Sequence, residues 1–264
     1  MKSRATPEAR EPETTDDAIL GGRLRLLQPK RGHRVGHDAV LLAAATDARP
    51  GDHVVDFGAG VGAAGLALLA RVPRVTVTLA EIDPGLTALA TENIARNGYV
   101  GSARTVALDV TAGDEAFAAA GLPPACADNV MMNPPFNDPA QQQLSPDPHR
   151  RSAHVAAPGS LMRWIRAASR LLRPTGTLTM IWRADALDDL LSTLTPHFGG
   201  IFVLPVHGRA GQPAIRVLVA AAKVGRGSQT VLPPLILNDA AGRPTEAAER
   251  VLRNAEGLHL GVAA

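Results

Sequence analysis

Apolar positions along the chain switch repeatedly between two periods. From residue 52 onward, short β-branched runs alternate with longer stretches whose apolar residues recur at helical spacing. The runs DHVVDF, RVTVTLAEID, ARTVALDV, ADNVMMNPPF and TLTMIW predict five strands. Between them GAAGLALLARV, PGLTALATENIARNG and GSLMRWIRAASRLLRPTG predict helices, the last stopped by Pro174 and Gly176. ALDDLLSTLTPHFG predicts a further helix, and IFVLPVHG and AIRVLVAAAK predict two closing strands in an antiparallel hairpin. Alternation of this kind predicts an α/β, doubly wound sheet, mostly parallel, with an antiparallel hairpin at one end.

Three segments follow from the same pattern. Residues 1–18 are polar and proline-dotted, which predicts a disordered tail. Residues 19–50 predict a cap, a strand pair around PKRGH followed by a helix with Asp38 as N-cap. Residues 51–264 form the main domain. Within it, DPAQQQLSPDPHRRSAH is long, polar and unpatterned, the mark of a functional or mobile loop.

Composition narrows the function classes. Aromatics make up 3% of 264 residues, so the core is built mostly from Ala, Leu and Val. Basic and acidic residues nearly balance, 27 against 25, and that balance by itself predicts no polyanion partner. A single cysteine, Cys126, excludes an intramolecular disulfide and a C-x-x-C zinc site. The histidines show no metal spacing, so no metal is expected. No apolar run reaches ~18 residues, and the first residues lack a signal peptide's apolar region, so a cytoplasmic protein without a membrane span is expected.

The stretch VVDFGAGVGAAG runs from a strand through a glycine turn into a helix. Gly60, Gly62 and Gly65 satisfy the dinucleotide spacing G-x-G-x-x-G, with Glu81 where a ribose-binding acid belongs. Read so, the site is that of an NAD(P)-dependent reductase. A second register, Asp56, Gly58, Gly60 and Gly62, puts a carboxylate at the end of the first strand. There it would repel a pyrophosphate and favour a cationic ligand. S-adenosylmethionine (SAM) carries an ammonium and a sulfonium. Glu81 can accept from its ribose hydroxyls, and Asp109 from its adenine amine. Three acids at three successive strand ends line the edge where open α/β sheets bind ligands.

At the tip of the fourth strand stands Asn133-Pro134-Pro135-Phe136. The Asn133 amide oxygen and the Pro134 carbonyl are two acceptors on a stiff backbone, and Pro135 biases Pro134 toward extended geometry. Two acceptors suit one NH2 group, and the Phe136 ring can cover a flat substrate. An exocyclic amine is a poor nucleophile. Acceptors on both its N–H bonds orient it and stabilise positive charge as a methyl group arrives. A hydride-transfer enzyme has no use for Asn133, and the only tyrosine, Tyr99, sits far from the expected site.

DFGAGVG, EID, LDV and NPPF together resemble the motifs of class I SAM-dependent methyltransferases that modify planar amino groups. The upstream GHRVGHDAVLLAA resembles the small-domain group, which includes the bacterial tRNA(Val) adenine-N6 methyltransferases. The resemblance implies a seven-stranded Rossmann-like sheet. It implies a SAM site made by Arg34, Asp38, Asp56, Gly58, Ala59, Gly60, Gly62, Glu81, Ile82, Asp109, Val110 and Asn133. It also implies an amine site at Asn133, Pro134, Pro135 and Phe136. Relatives often carry Tyr at position 136, so stacking survives here and a phenolic hydrogen bond does not.

The resemblance favours adenine N6 in tRNA as the substrate. Guanine N2 in ribosomal RNA, adenine in DNA and a protein glutamine amide remain open, because the same corner serves each. Basic residues cluster at 23–34, including Arg23, Arg25, Lys30 and Arg34, and again at His149, Arg150, Arg151 and His154. A phosphate backbone is a natural partner for both clusters, with Arg150 and Arg151 as substrate-binding residues.

Overall fold

The computed structural model describes residues 14–30, 34–135, 159–224 and 229–261. Its first unit is a two-stranded antiparallel hairpin, β1 (Thr14–Ile19) with β2 (Leu24–Pro29), joined by a 3-10 turn at Leu20–Gly22. Two expectations change here. The turn lies at Leu20–Gly22 and not at PKRGH, and β1 occupies residues expected to belong to the tail. The polar run TTDDAI reads as tail because it lacks apolar alternation. It is held instead by main-chain pairing and by charges: Asp16 pairs with Arg25 and Arg96, and Asp17 with Arg34.

Helix α1 (His37–Ala45) follows, with Gly36 and not Asp38 at its N-cap. Asp38 lies inside the first turn, where its carboxylate accepts from Arg216 Nε at 3.0 Å.

The main sheet is assembled from β3 (His53–Phe57), β4 (Thr76–Glu81), β5 (Ala103–Ala107), β6 (Ala127–Met132), β7 (Leu172–Arg183), β8 (Gly199–His207) and β9 (Ala214–Ala222). Their order is β8-β9-β7-β6-β3-β4-β5. The run from β5 to β7 is parallel, and β9 is antiparallel to both neighbours. The expected doubly wound sheet and its terminal hairpin are both present. The sheet has nine strands where seven were expected, because the two-residue strands β10 (Thr230–Val231) and β11 (Leu235–Ile236) add to the edge of β8.

Helices cover both faces. On one lie α1, α2 (Ala63–Arg71), α3 (Pro84–Arg96) and α7 (Glu246–Asn254), whose apolar residues share a core with Leu24 and Leu26 of the hairpin. On the other lie α4 (Asp114–Ala119), α5 (Ser160–Leu171) and α6 (Leu187–Leu194), around Phe57, Phe117 and Trp164. Helix α5 ends at Leu171, earlier than its proline and glycine predict. Arg173 to Gly176 belong to β7, where the pairing with β6 shifts register. Proline is tolerated in a strand at such an irregularity. Among the described residues no helix is long and apolar enough to cross a membrane.

The connection β3-α2 lies at the middle of the sheet. Strand β6 flanks β3 on one side and β4 on the other. The order reverses there, so the carboxyl ends of β3, β4 and β6 surround a crevice.

Candidate active site

The glycine turn leaves β3 at Phe57. The Gly58 and Ala59 amides both donate to the Ala80 carbonyl, at 2.9 and 3.1 Å, which ties the turn to the end of β4. Gly58 and Gly60 have φ of 64° and 57°, a region side chains rarely adopt. Their surroundings differ. A methyl group at Gly58 would stand 2.6 Å from the Trp164 ring, so this glycine lets α5 close against the turn. At Gly60 nothing lies within 4 Å among the described residues, and the turn opens on free space. Gly65 serves packing: a methyl there would meet Leu79 at 2.4 Å.

Glu81 braces the open side. One carboxylate oxygen accepts from the Gly60 amide at 2.8 Å and the other from the Asp83 amide at 2.9 Å. Two main-chain donors fix the carboxylate, and each oxygen keeps a second lone pair. Next to it the Ile82 side chain is 62% exposed, an apolar surface at the rim of the crevice.

Asp56 sits beneath the turn. It is 2% exposed, and one carboxylate oxygen accepts from the Gly65 amide at 3.0 Å in the first turn of α2. Burial pushes its pKa up to about 7. The Gly65 amide opposes that rise, and the nearby Glu81 charge adds to it. The sequence predicts an acid facing the ligand, and the structure places that acid behind the glycine turn.

Asp109 closes the third side. Its Oδ1 accepts from both the amide and the hydroxyl of Thr111, each at 2.8 Å, which fixes the turn after β5. The Val110 side chain is buried in the core, so only its main chain is available to a ligand. Ala59 is half-buried.

The fourth side is the corner. Met131 and Met132 are fully buried, and the parallel register Phe57 to Met132 puts Asn133 opposite Gly58, one step further along. Pro134 is buried. The Asn133 amide oxygen is buried and has no hydrogen-bond partner among the described residues. An unpaired buried acceptor costs on the order of 1–3 kcal/mol, so it marks a place where a donor is expected to arrive.

Other expected site residues are held in ion pairs of their own or lie outside the described residues. Arg34 donates to Asp17 at 2.9 Å, and Asp38 is held by Arg216. Arg25 sits beside Asn97 at the far end of α3, whereas α3 starts at the crevice. Arg25 therefore lies at the end of α3 away from the crevice, and Arg34 lies against Asp17 of β1. Phe136, Arg150, Arg151, His149 and His154 lie outside the described residues, as do Arg31 and His33.

Two contributors escape a reading by motif. Trp164 backs the glycine turn, and its signal is only one aromatic on an amphipathic helix. Asn93, fully buried, donates to the carbonyls of Leu27 and Val61, each at 3.0 Å, and accepts from the Leu27 amide at 2.7 Å. It thereby joins the hairpin to the glycine turn. Its signal is a pair of asparagines, Asn93 and Asn97, four residues apart on one helix face.

The family model for the methyltransferase small domain matches residues 33–204. A tRNA1(Val) (adenine(37)-N6)-methyltransferase from Porphyromonas gingivalis is 32% identical over 168 residues, 60% of this chain and 61% of the relative. The match thus spans about three fifths of that relative's length. A ribosomal RNA small subunit methyltransferase C from Pseudomonas putida is 34% identical over 104 residues, 39% of this chain and 28% of the relative. Among solved structures, that of a predicted O-methyltransferase from Agrobacterium tumefaciens superposes with a TM-score of 0.70 at 28% identity, covering 84% of this chain and 98% of that one. Glycine turn, strand-end acids and N-P-P corner converge on one crevice inside the matched span, and the chain belongs to the methyltransferase small-domain family.

Proposed function

We propose that the protein transfers a methyl group from SAM to an exocyclic amine on a planar group, and that this group is adenine, methylated at N6 in a tRNA. The observation that carries the reading is the buried, unpartnered amide oxygen of Asn133 opposite Gly58.

The residues fit SAM. Gly60 leaves open space beside Glu81, whose free lone pairs can accept from ribose hydroxyls, and exposed Ile82 offers an apolar wall to the adenine. Asp109 flanks the adenine end. Asp56 holds the first turn of α2 from below by accepting from the Gly65 amide. When bound, SAM supplies an electrophilic methyl group.

The chain's own groups act on the amine. Asn133 Oδ1 and the Pro134 carbonyl accept its two N–H bonds and aim the nitrogen lone pair into the crevice. Positive charge growing on nitrogen strengthens both hydrogen bonds, so they act chiefly in the transition state. No strong base is required, because the methylated nitrogen sheds its proton readily. Phe136 stacks on the base, which must leave its own stack to reach the corner. A base in a loop leaves at least cost, which favours folded RNA over duplex DNA.

Likeness to the Porphyromonas protein supports adenine N6, while likeness to the Pseudomonas protein keeps ribosomal guanine N2 as the second reading. Labelled SAM incubated with total tRNA, ribosomal RNA, DNA and protein decides between them after nucleoside analysis. The expected product is N6-methyladenine in tRNA. N2-methylguanine, or label in protein alone, would overturn the adenine assignment while leaving the corner in place. Tight NAD binding without SAM binding would overturn the cofactor.

A further inference from the structure

Helix α5 carries three arginines, Arg163, Arg166 and Arg170, spaced three and four residues apart. At 100° per residue they fall within about 60° of one another, a single stripe along the helix. The stripe divides in two. Toward its end, Arg170 pairs with Asp114 and lies 4.5 Å over the Phe117 ring, and past the helix Arg173, in β7, pairs with Asp128. Toward its start, Arg163 and Arg166 are exposed and make no ion pair with any described residue.

The unpaired half is the half beside the crevice. Strand β6 runs toward the corner, and α5 returns from that edge to the start of β7. Trp164, between the two free arginines, touches the glycine turn at Gly58. The local electrostatics are also unbalanced. A helix start is electropositive and favours acids, and α4, α6 and α7 each place two acids in the first turn. Helix α5 places none there, has no side-chain cap, and carries Arg163 at its fourth position. Arginines on an exposed helix face with no such acid are left for an external anion.

We infer that Arg163 and Arg166 bind backbone phosphates of the RNA that delivers its base to the Asn133 corner. This rests on the function proposed above. Two free guanidiniums on adjacent turns lie about 5 Å apart along the axis, close to the spacing of successive phosphates in a nucleic-acid strand. Salt-dependent attraction at this face would hold the strand while the target base turns inward.

The test pairs the double variant Arg163→Glu/Arg166→Glu with the milder Arg163→Gln/Arg166→Gln, and with Arg49→Glu at the opposite edge of the sheet as a control. Three quantities are read on each protein: Kd for fluorescent tRNA across a salt series, Kd for SAM, and methyl transfer. Both double variants should bind tRNA at least tenfold more weakly, and their log Kd against log salt should flatten by roughly 1.4–1.8. SAM binding should be unchanged, and Arg49→Glu should behave as wild type. Unchanged tRNA affinity in both double variants overturns the proposal. So does a wild type that binds no RNA, or a variant impaired only on a protein substrate. If the wild type binds tRNA but methylates no RNA, the proposed function fails, and the binding series still decides the role of the stripe.

Discussion

The glycine turn and the N-P-P corner stand side by side on β3 and β6, yet their polar groups are in opposite conditions. In the turn every acid is already engaged: Glu81 accepts from Gly60 and Asp83, Asp56 from Gly65, and Asp109 from Thr111. In the corner the Asn133 oxygen is buried with no described partner. A group already bonded keeps its geometry when a ligand arrives and contributes to ground-state affinity. A buried acceptor without a donor holds its interaction energy for the group that enters, and spends it where charge develops. The difference separates binding from chemistry between two neighbouring strand ends.

The largest effect should come from the corner. Asn133→Ala is expected to lower turnover by about 10²–10³ while SAM affinity, measured by calorimetry, stays within a factor of two. Turnover close to wild type would reduce Asn133 to a turn residue and erase the comparison. Next comes the turn. Glu81→Ala should weaken SAM by roughly 1–3 kcal/mol and leave turnover at saturating SAM largely intact. A loss of turnover with SAM affinity preserved would place Glu81 on the chemical side. The last effect is a slope, read per pH unit. Asp56 holds a proton in the folded chain up to about pH 7, whereas in the unfolded chain it ionises near 3.8. Its contribution to stability is therefore full below about pH 4, and is lost as pH rises toward 7 by at most about 1.4 kcal/mol per pH unit. The stability of wild type relative to Asp56→Asn, from denaturant midpoints at several pH values, should fall over that window. A wild-type advantage over Asp56→Asn that rises across the window would show Asp56 ionised and stabilised in the fold.

The sequence made the order of elements legible because most strands and helices are apolar enough to declare their period. It misplaced the hairpin because β1 is TTDDAI, a polar strand held by main-chain pairing with the adjacent β2 and by ion pairs, one of them with Arg96 80 residues away. Short elements escaped for a related reason. Helix α4 has six residues, and β10 and β11 two each, too few to show a period. Helix α7 was within reach: Thr245 caps it by accepting from the Ala248 amide at 3.1 Å, a start signal visible in PTEAAERVL. At the site, motif spacing located the strand-end acids correctly, but spacing carries no depth. Nothing in D-x-G-x-G-x-G says that Asp56 faces the first turn of α2 from beneath, since Gly65 and Leu79 decide that through packing.

Asn97 has a consequence of a different kind. Its amide accepts from the Arg25 N–H at 3.0 Å and donates to the Arg25 carbonyl at 2.8 Å, as Asn93 does at Leu27. Alternate residues on one side of β2 are thus paired by side chains of a helix, as a neighbouring strand would pair them. A two-stranded ribbon ordinarily offers open edges on which another chain can add, the first step toward aggregation. Here one edge is sealed without a third strand. The cap can remain a separate hairpin, free of the main sheet, with its β2 edge closed to its own copies.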